Sequence, residues 1–264
     1  MEAPPRRICI LWVYGDSNPA WRLHGATLWA SALQSAGEPG LLAFTTLDAT
    51  DMSTPLPQPA AFPAFVITGS PHGAYEPLPW ISRLLAWLRD CAALAAPPRV
   101  LGGCFGAQAL ALALGGAVAP TPPFEVAATL LQLRPEPLAA LPWAAPLRAR
   151  AGAGGGGVRL LESHGDGVTA LPPGGEVLAS SPRCPNEVFV VRNGAGVAWA
   201  LGCQAHPEFT VEGELKGIVW PRVVPSRVGA EAAAAAEASY ALPRHEAEVL
   251  RAARLFLEEG EQNL

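Results

Sequence analysis

The N-terminal part of the chain alternates continuous apolar runs with segments of helical periodicity. Parallel strands that are covered on both faces are apolar throughout, so we expect buried strands at residues 8–14, 41–47, 64–68 and 99–103. Apolar residues that recur every three or four positions predict helices over 19–36, 79–96 and 106–114. Strand and helix therefore alternate, which is typical of a mostly parallel sheet with helices on both faces.

After residue 120 the pattern changes to shorter β-like pieces, at 125–133, 158–161, 176–179, 187–192 and 197–203. These pieces predict a small antiparallel extension that leads back to the main sheet. The interval 139–157 ends in four consecutive glycines and is expected to be a mobile loop. The remainder, 211–264, is expected to be a helical tail with at most two helices. We therefore expect one three-layer α/β domain over 1–264, with its core at 8–210.

Composition and charge narrow the classes of function. The chain has 264 residues, of which 50% are hydrophobic and 16% charged, and its formal net charge is −5. Lys216 is the only lysine and the sequence has no basic run, so it lacks the positive stripe that nucleic-acid backbones require. The N-terminal apolar run is too short for the core of a secretory signal, and a cytoplasmic location is expected.

The uncharged stretch 100–124 is long enough to cross a bilayer, but its glycines and prolines divide it into strand, turn and helix, so no membrane partner is expected. The five cysteines, at positions 9, 91, 104, 184 and 203, include no Cys-x-x-Cys pair. Their odd number and their spacing indicate neither a disulfide framework nor a zinc site, and we expect no metal and no cofactor. Each cysteine must therefore be judged by its own surroundings.

Cys104 lies where an apolar strand turns into a helix within two residues. Gly102, Gly103 and Gly106 allow a tight turn that projects the Cys104 side chain, as in the nucleophile elbow of hydrolases. A helix N-terminus also favours the thiolate over the thiol. These features predict a nucleophile, although most free cysteines are simply small buried apolar residues.

A second strand, 197–203, delivers His206 and Glu208 at its end. A thiol nucleophile needs a base that takes and returns a proton, and the base needs an acceptor that orients it. Residues i and i+2 of an extended chain point to the same side, so His206 and Glu208 supply both groups. Ser163, His164 and Asp166 are also the residue types of a triad, but side chains this close in sequence do not normally reach triad geometry. A substrate-loop or structural role is preferred for them.

Together these segments resemble the class I glutamine amidotransferase family. Its signature is a Gly-x-Cys-x-Gly-x-Gln elbow followed further along the chain by His-Pro-Glu, and here these motifs are residues 102–108 and 206–208. The segment 65–71 is similar to the family's strand and loop that supply an oxyanion-hole amide, and 163–166 matches its Ser-His-x-Asp stretch near the substrate. A related family of cysteine-elbow proteins lacks the His-Pro-Glu ending. The resemblance covers 8–210 and implies a three-layer, flavodoxin-like fold.

The resemblance also implies roles for individual residues. Catalysis is assigned to Cys104, His206 and Glu208, and the oxyanion hole to the backbone amides of Gly69 and Phe105. Contacts with the substrate are implied for a further set, Gln108, Ser70 and His164. The sequence departs from many members at Gly103 and Ala107, which leaves the detail of the pocket open.

The sequence indicates the substrate less specifically than it indicates the catalytic residues. Gly15-Asp16 after the first strand, Gly25 in the first helix, the Gly-Ser loop and the Cys-Phe-Gly elbow are most similar to stand-alone γ-glutamyl peptidases, which cleave γ-glutamyl peptides such as glutathione conjugates. The segment after Phe209 is too short for a synthetase, so we expect hydrolysis of a small γ-glutamyl substrate or of glutamine. The alternatives are a glutaminase subunit that supplies ammonia to a separate synthetase partner, and a non-catalytic binding or regulatory protein that keeps the fold.

Overall fold

A computed structural model describes residues 4–14, 19–152 and 156–259 of the chain. Nine strands form one sheet in the order β2-β1-β3-β4-β9-β8-β7-β5-β6. The first five of these run parallel to one another. They are β1 (Arg6–Trp12), β2 (Leu42–Asp48), β3 (Ala64–Ile67), β4 (Arg99–Gly103) and β9 (Ala198–Cys203).

The other side of the sheet is antiparallel and comprises β5 (Ala117–Leu133), β6 (Gly157–Ala170), β7 (Gly175–Ser180) and β8 (Val188–Arg192). The expected α/β architecture, a mostly parallel sheet with helices on both faces and an antiparallel extension, is confirmed. The strands β5 and β6 are longer than the sequence pattern predicts, with 17 and 14 residues. Polar positions such as Glu162 and His164 interrupt the apolar pattern of β6 although both side chains are buried.

Helices cover both faces of the parallel strands. On one face α1 (Pro19–Ser35) and α8 (Glu246–Glu258) pack against Ile8, Ile10 and Leu101. On the other face α2 (Pro79–Ala92) and α3 (Phe105–Ala113) pack against Leu11 and Phe65. Side chains alternate between the faces of a strand, so burial on both sides explains why these strands are apolar at every position.

The interval 139–157 is not the loop that we expected. It begins at the end of α4 (Pro135–Ala139), passes through a short 3₁₀ turn (Pro142–Ala144) and continues as α5 (Ala145–Gly152). Leu141, Trp143 and Leu147 are buried in the same core as α8. The prediction is wrong over this part, because a few well-spaced apolar side chains outweigh a composition rich in Ala, Gly and Pro. Residues 153–155 lie outside the described residues.

The C-terminal segment holds more helical structure than predicted. A π-helical stretch (Val211–Val219) runs directly into α6 (Trp220–Arg227), and α7 (Ala230–Ser239) precedes α8. The π-helical stretch, α6 and α7 pack against the long strands β5 and β6 through a separate apolar cluster that includes Val126, Leu161 and Tyr240, whereas α8 belongs to the main core. No helix in the described ranges is both long and apolar enough to cross a membrane.

Candidate active site

The predicted site residues meet at the carboxyl edge of the parallel strands. Gly69 and Ser70 follow β3, Cys104 follows β4, and His206 follows β9. Loops at this edge of a parallel sheet converge, and ligands of such sheets bind there. Residues far apart in sequence are therefore brought to one cavity. The Gly15-Asp16 pair, which supported the resemblance to γ-glutamyl peptidases, lies outside the described residues.

Cys104 occupies a strained turn between β4 and α3. Its φ is +48° and its ψ is −106°, and it is the one non-glycine residue with positive φ in the described part of the chain. The amide of Cys104 donates to the carbonyl of Cys203 at 2.7 Å, and the carbonyl of Cys104 accepts from the amide of Gln108 at 3.2 Å. These bonds hold the elbow in place, and strain of this kind persists only where the surrounding structure enforces it.

The glycines of the elbow are required by close backbone contacts. A Cβ atom on Gly102 would lie 2.4 Å from the carbonyl carbon of Gly106, and one on Gly106 would lie 2.4 Å from the carbonyl oxygen of Ile67. A Cβ atom on Gly103 would lie 2.6 Å from the ring of Trp29. The small residues that the sequence places around Cys104 therefore allow the helix to start directly against the neighbouring strand.

His206 and Glu208 form a buried pair beside Cys104. The Nδ1 atom of His206 lies 2.8 Å from Oε1 of Glu208, and the imidazole stacks on Phe209 with 4.0 Å between ring centres. Burial by itself would lower the pKa of His206, but the Glu208 carboxylate and the Cys104 sulfur raise that pKa well above its usual range. His206 is thus held as a proton donor whose Nδ1 side is oriented by a carboxylate.

Gly69 and Phe105 lie next to the sulfur-bearing residue. A Cβ atom on Gly69 would lie 3.2 Å from Cε1 of His206 and 3.7 Å from Cβ of Cys104, so the Gly69 backbone passes close to both. Phe105 is the first residue of α3. Amide N–H groups in the first turn of a helix have no partner within the helix, and they are available to an anionic oxygen there.

The three residues expected to contact substrate also line the cavity, but they differ in exposure. Ser70 is half-buried, and its hydroxyl accepts from the amide of His72 at 3.3 Å. The buried amide of Gln108 donates through Nε2 to the carbonyl oxygen of Asp166 at 3.1 Å. His164 is 3% exposed, and its ring nitrogens face the carbonyl of Asp166 and nearby carboxylates rather than the open cavity.

Gln204 is a neighbour of the sulfur that the sequence reasoning missed. Its Nε2 atom lies 3.5 Å from Sγ of Cys104, and its Oε1 accepts from Nε2 of Gln108 at 3.2 Å. The signal was present, because Gln204 precedes His206 by two positions and residues at this spacing point to the same side of an extended chain.

A cavity of about 470 Å³ opens above these residues. Cys104, His206 and Gly69 lie on its floor, while Arg222 and Arg227 lie on its wall. Aromatic and aliphatic side chains line one part of the rest, from Trp12, Tyr14, Leu28, Trp29, Phe124, Val219 and Val223, and polar side chains such as Thr68, His72 and Asp166 line another. This volume is within the range of small-molecule sites, and a combination of apolar and polar lining groups is typical of them.

Comparison with known proteins agrees with this geometry. The family model described as glutamine amidotransferase class I matches residues 53–219. A glutamine amidotransferase-like protein of Schizosaccharomyces pombe is 29% identical over 160 residues, covering 59% of this chain and 58% of that protein. The GMP synthase [glutamine-hydrolyzing] of Mycolicibacterium paratuberculosis is 37% identical over 147 residues, covering 55% of this chain but 23% of that protein. The match thus spans less than two thirds of either relative.

Solved structures give the same fold. A glutamine amidotransferase from Methylobacillus flagellatus superposes with a TM-score of 0.64 at 23% identity, covering 100% of this chain and 99% of that one. A glutamine amidotransferase from Thermotoga maritima superposes with a TM-score of 0.62 at 20% identity, covering 97% and 98%. At such identities the likeness concerns the fold, whereas the family model covers the elbow and the His-Pro-Glu segment in sequence. This chain belongs to the class I glutamine amidotransferase family.

Proposed function

We propose that the protein is a cysteine hydrolase that cleaves a γ-glutamyl amide bond through a γ-glutamyl thioester on Cys104. The observation that carries the proposal is the strained Cys104 at the start of α3, beside the buried His206–Glu208 pair on the floor of one cavity. A nucleophile, a proton carrier and a group that orients the carrier are the parts that thiol-based acyl transfer requires.

In the first step the Cys104 thiol gives its proton to His206, and the sulfur attacks the γ-carbonyl carbon and forms the C–S bond. The carbonyl electrons move onto oxygen, and the amides of Gly69 and Phe105 donate to that oxyanion. When the oxyanion collapses, the C–N bond breaks and His206 gives its proton to the leaving nitrogen. The raised pKa of His206 supports this acid role near neutral pH. Each fixed oxyanion donor contributes about 3 kcal/mol in comparable sites.

In the second step water hydrolyses the thioester. His206, now neutral, takes a proton from water as the new C–O bond forms. The C–S bond then breaks, the sulfur leaves, and glutamate is released. Glu208 holds the imidazole by its Nδ1 side at 2.8 Å throughout, so that Nε2 faces the reacting atoms.

The walls of the cavity favour a leaving group larger than ammonia. Val219 and Val223, from the π-helical stretch and α6, add apolar surface beyond the floor, and Arg222 and Arg227 add positive charge. Nη1 of Arg222 donates to the Tyr14 hydroxyl at 2.9 Å, and the Arg227 guanidinium lies 5.7 Å from the centre of the Phe124 ring. An apolar side chain and a terminal carboxylate would match these groups. A γ-glutamyl peptide has both, and glutamine's ammonia has neither.

Brief mixing followed by acid quench and intact-mass measurement tests the thioester. We expect wild type with a γ-glutamyl dipeptide to gain the mass of one glutamyl group, and Cys104→Ala to gain none. Cys91→Ala is the matched control, because Cys91 is buried on α2 and burial raises the pKa of its thiol to about 12. An adduct that persists in Cys104→Ala, or that disappears in Cys91→Ala, would contradict the assignment of the nucleophile.

A glutaminase subunit that supplies ammonia to a separate synthetase is the second candidate. The observation in its favour is the similarity to the glutamine-hydrolysing GMP synthases. Initial rates with glutamine and with a γ-glutamyl dipeptide separate the two. Turnover of the dipeptide by the chain alone supports the peptidase, and glutamine turnover that requires an added synthetase supports the subunit. Absence of adduct and turnover with both substrates points instead to a non-catalytic protein that keeps the fold.

A further inference from the structure

A second group of ionisable side chains is buried in the antiparallel part of the sheet. Glu162 and His164 lie two residues apart on β6, so they share one face of the sheet, and Glu187 immediately precedes β8. Glu162 and Glu187 are 0% exposed and His164 is 3% exposed. One ligand atom from each of the three lies within 4.8 Å of the others. We call this group the acidic cluster.

Five side-chain atoms of the acidic cluster have no hydrogen-bond partner among the described residues. Both carboxylate oxygens of Glu162, both of Glu187 and Nε2 of His164 are in this state. The Ser181 hydroxyl accepts from the amides of Arg183 and Cys184, and it interacts with Glu187 only weakly, outside hydrogen-bond geometry. Buried charged or polar groups without partners are strongly unfavourable, so this arrangement points to a ligand.

The geometry of His164 indicates what kind of ligand. Its Nδ1 atom lies 3.0 Å from the carbonyl oxygen of Asp166. Because a carbonyl can only accept, Nδ1 carries a hydrogen, and Nε2 is the ring atom that faces the carboxylates. A metal-bound histidine typically donates its other ring N–H to a backbone carbonyl in this way.

The spacing of the donor atoms also fits a metal ion. Nε2 of His164 lies 3.4 Å from Oε2 of Glu162. Two donors at about 2.1 Å from a tetrahedral zinc ion are about 3.4 Å apart. Two carboxylates and one imidazole form a three-ligand set that leaves a position for water, and their charges neutralise a divalent cation.

Glu125 lies close to the acidic cluster but is already paired. Its Oε2 is 3.0 Å from Nε of Arg183, and its Oε1 accepts from the Thr129 hydroxyl at 2.6 Å. It lies opposite His164 in the β5–β6 register, with 3.7 Å between Glu125 Oε2 and His164 Nε2. Oε2 of Glu125 also lacks a partner in hydrogen-bond geometry, but it lies beside a guanidinium. Glu162 meets only the imidazole of His164, at 3.4 Å, and Glu187 has no partner in hydrogen-bond geometry among the described residues.

We propose that Glu162, His164 and Glu187 bind one divalent transition-metal ion, with Zn²⁺ as the best match to this donor set. The ion ties β6 to the start of β8 in the part of the sheet that carries the His206 segment, since the amide of His206 donates to the carbonyl of Leu161 at 2.8 Å. Protonated carboxyls are the competing account, because burial and neighbouring carboxylates raise the pKa of Glu162 and bring that of Glu187 to about 9. Protonation would remove charge and let one carboxyl donate to another, so the titrations below separate the two accounts. The metal site does not depend on the proposed hydrolase activity.

Calorimetric titration of the full chain with ZnCl₂ tests the site. All samples carry Cys104→Ala and are first stripped with a chelator, because Cys104 and His206 could themselves bind zinc. We expect one zinc per chain, and binding weaker by at least about tenfold after Glu187→Gln or Glu162→Gln. Glu176→Gln is the matched control, since Glu176 lies on β7 and pairs with Arg192 outside the cluster. It should bind as tightly as the Cys104→Ala parent.

Cobalt substitution gives a readout that needs no further variant and so does not depend on how the glutamine variants fold. Co²⁺ in Cys104→Ala should show the visible absorption of a four-coordinate site without a thiolate charge-transfer band in the near ultraviolet. A thiolate band would place the metal on another cysteine and overturn the proposal. Absence of zinc binding in Cys104→Ala, or unchanged affinity in folded Glu162→Gln and Glu187→Gln, would also overturn it and leave the protonated-carboxyl account.

Discussion

His206 with Glu208 and His164 with Glu162 are two buried histidine–carboxylate contacts in one sheet, and they differ in how completely the charges are paired. The first contact is 2.8 Å long and has hydrogen-bond geometry, whereas the second is 3.4 Å long and does not. His206 is partnered by Glu208, and Cys104 also raises its pKa. His164 lies 3.4 Å from Glu162, whose carboxylate has no partner in hydrogen-bond geometry, and 3.7 Å from Glu125, which is paired with Arg183. The difference suggests that the first pair is organised to move a proton and the second to hold a cation.

Among the substitutions that test this comparison, removal of the Cys104 sulfur should have the largest effect on activity. We expect Cys104→Ala to lower kcat for a γ-glutamyl substrate by about 10⁴-fold or more, because no other group can form the thioester. Steady-state release of glutamate measures this. Cys91→Ala should stay within a few-fold of wild type. Residual turnover by Cys104→Ala above a tenth of the wild-type rate would show that the site around His206 and Glu208 does not act through the Cys104 sulfur.

Glu208→Gln should have the next largest effect. The carboxylate raises the pKa of His206, so its loss should move the alkaline limb of kcat/KM to lower pH and lower kcat by about 10²- to 10⁴-fold. The pH profile of kcat/KM for both proteins checks this. An unchanged alkaline limb would show that the Glu208 contact does not set the proton affinity of His206.

The same pKa has a consequence for folding. A histidine whose folded pKa is raised stabilises the fold fully below its unfolded pKa of about 6.5, and this contribution is lost as pH rises through the folded value. Urea unfolding at several pH values should therefore show that the free energy of unfolding falls less in Glu208→Gln than in wild type as pH rises from about 6.5 through the folded pKa.

Gly106→Ala tests how tightly the elbow around Cys104 is packed. The new Cβ would lie 2.4 Å from the carbonyl oxygen of Ile67, and we expect a loss of about 2–3 kcal/mol in the free energy of unfolding. Gly152→Ala is the matched control, because a Cβ there has no atom within 4 Å and Gly152 ends a helix. It should be neutral or stabilising by up to about 1 kcal/mol. Equal urea midpoints for the two variants would contradict the close approach.

The smallest effect on stability should come from substitutions in and beside the acidic cluster. In chelator-treated protein, Glu125→Gln weakens the contact with Arg183, and we expect a loss of about 1 kcal/mol in the free energy of unfolding, limited by the solvent exposure of Arg183. Glu162→Gln removes a carboxylate that has no partner in hydrogen-bond geometry and should be neutral or slightly stabilising. If Glu162→Gln proves the more destabilising of the two in the absence of metal, Glu162 has a partner other than a cation.

Much of the fold could be predicted because its causes are local. Apolar runs such as that of β1 follow from burial on both faces, and the glycines around Cys104 follow from a turn that no Cβ can enter. The same local reasoning gave a wrong prediction for the interval 139–157. Its helices depend on three or four side chains, among them Trp143 and Leu147, that are stabilised by packing against α8 rather than by local propensity.

Prediction of the candidate site followed the same division. Cys104 lies in an elbow motif that predicts a nucleophile, and His206 and Glu208 lie in a motif that predicts a base and its partner. The structure brings the three together at one edge of the sheet. Gln204 could have been found from the same spacing. The walls of the cavity could not, because Val223 and Phe124 come from elements whose mutual position is set by the packing of the C-terminal helices on β5 and β6.

The alternation of strands and helices, the elbow at Cys104 and the family are all evident in the order of residues along the chain. The meeting of Glu162, His164 and Glu187 is evident only in the folded protein. In the sequence Glu162 and Glu187 are of the residue type that usually faces solvent, and His164 belongs to a stretch expected near the substrate. The β5–β6 pairing and the approach of the segment before β8 bury all three, and strand pairing between distant segments is not encoded at any one position. Burial then turns ordinary polar residues into groups that require a partner.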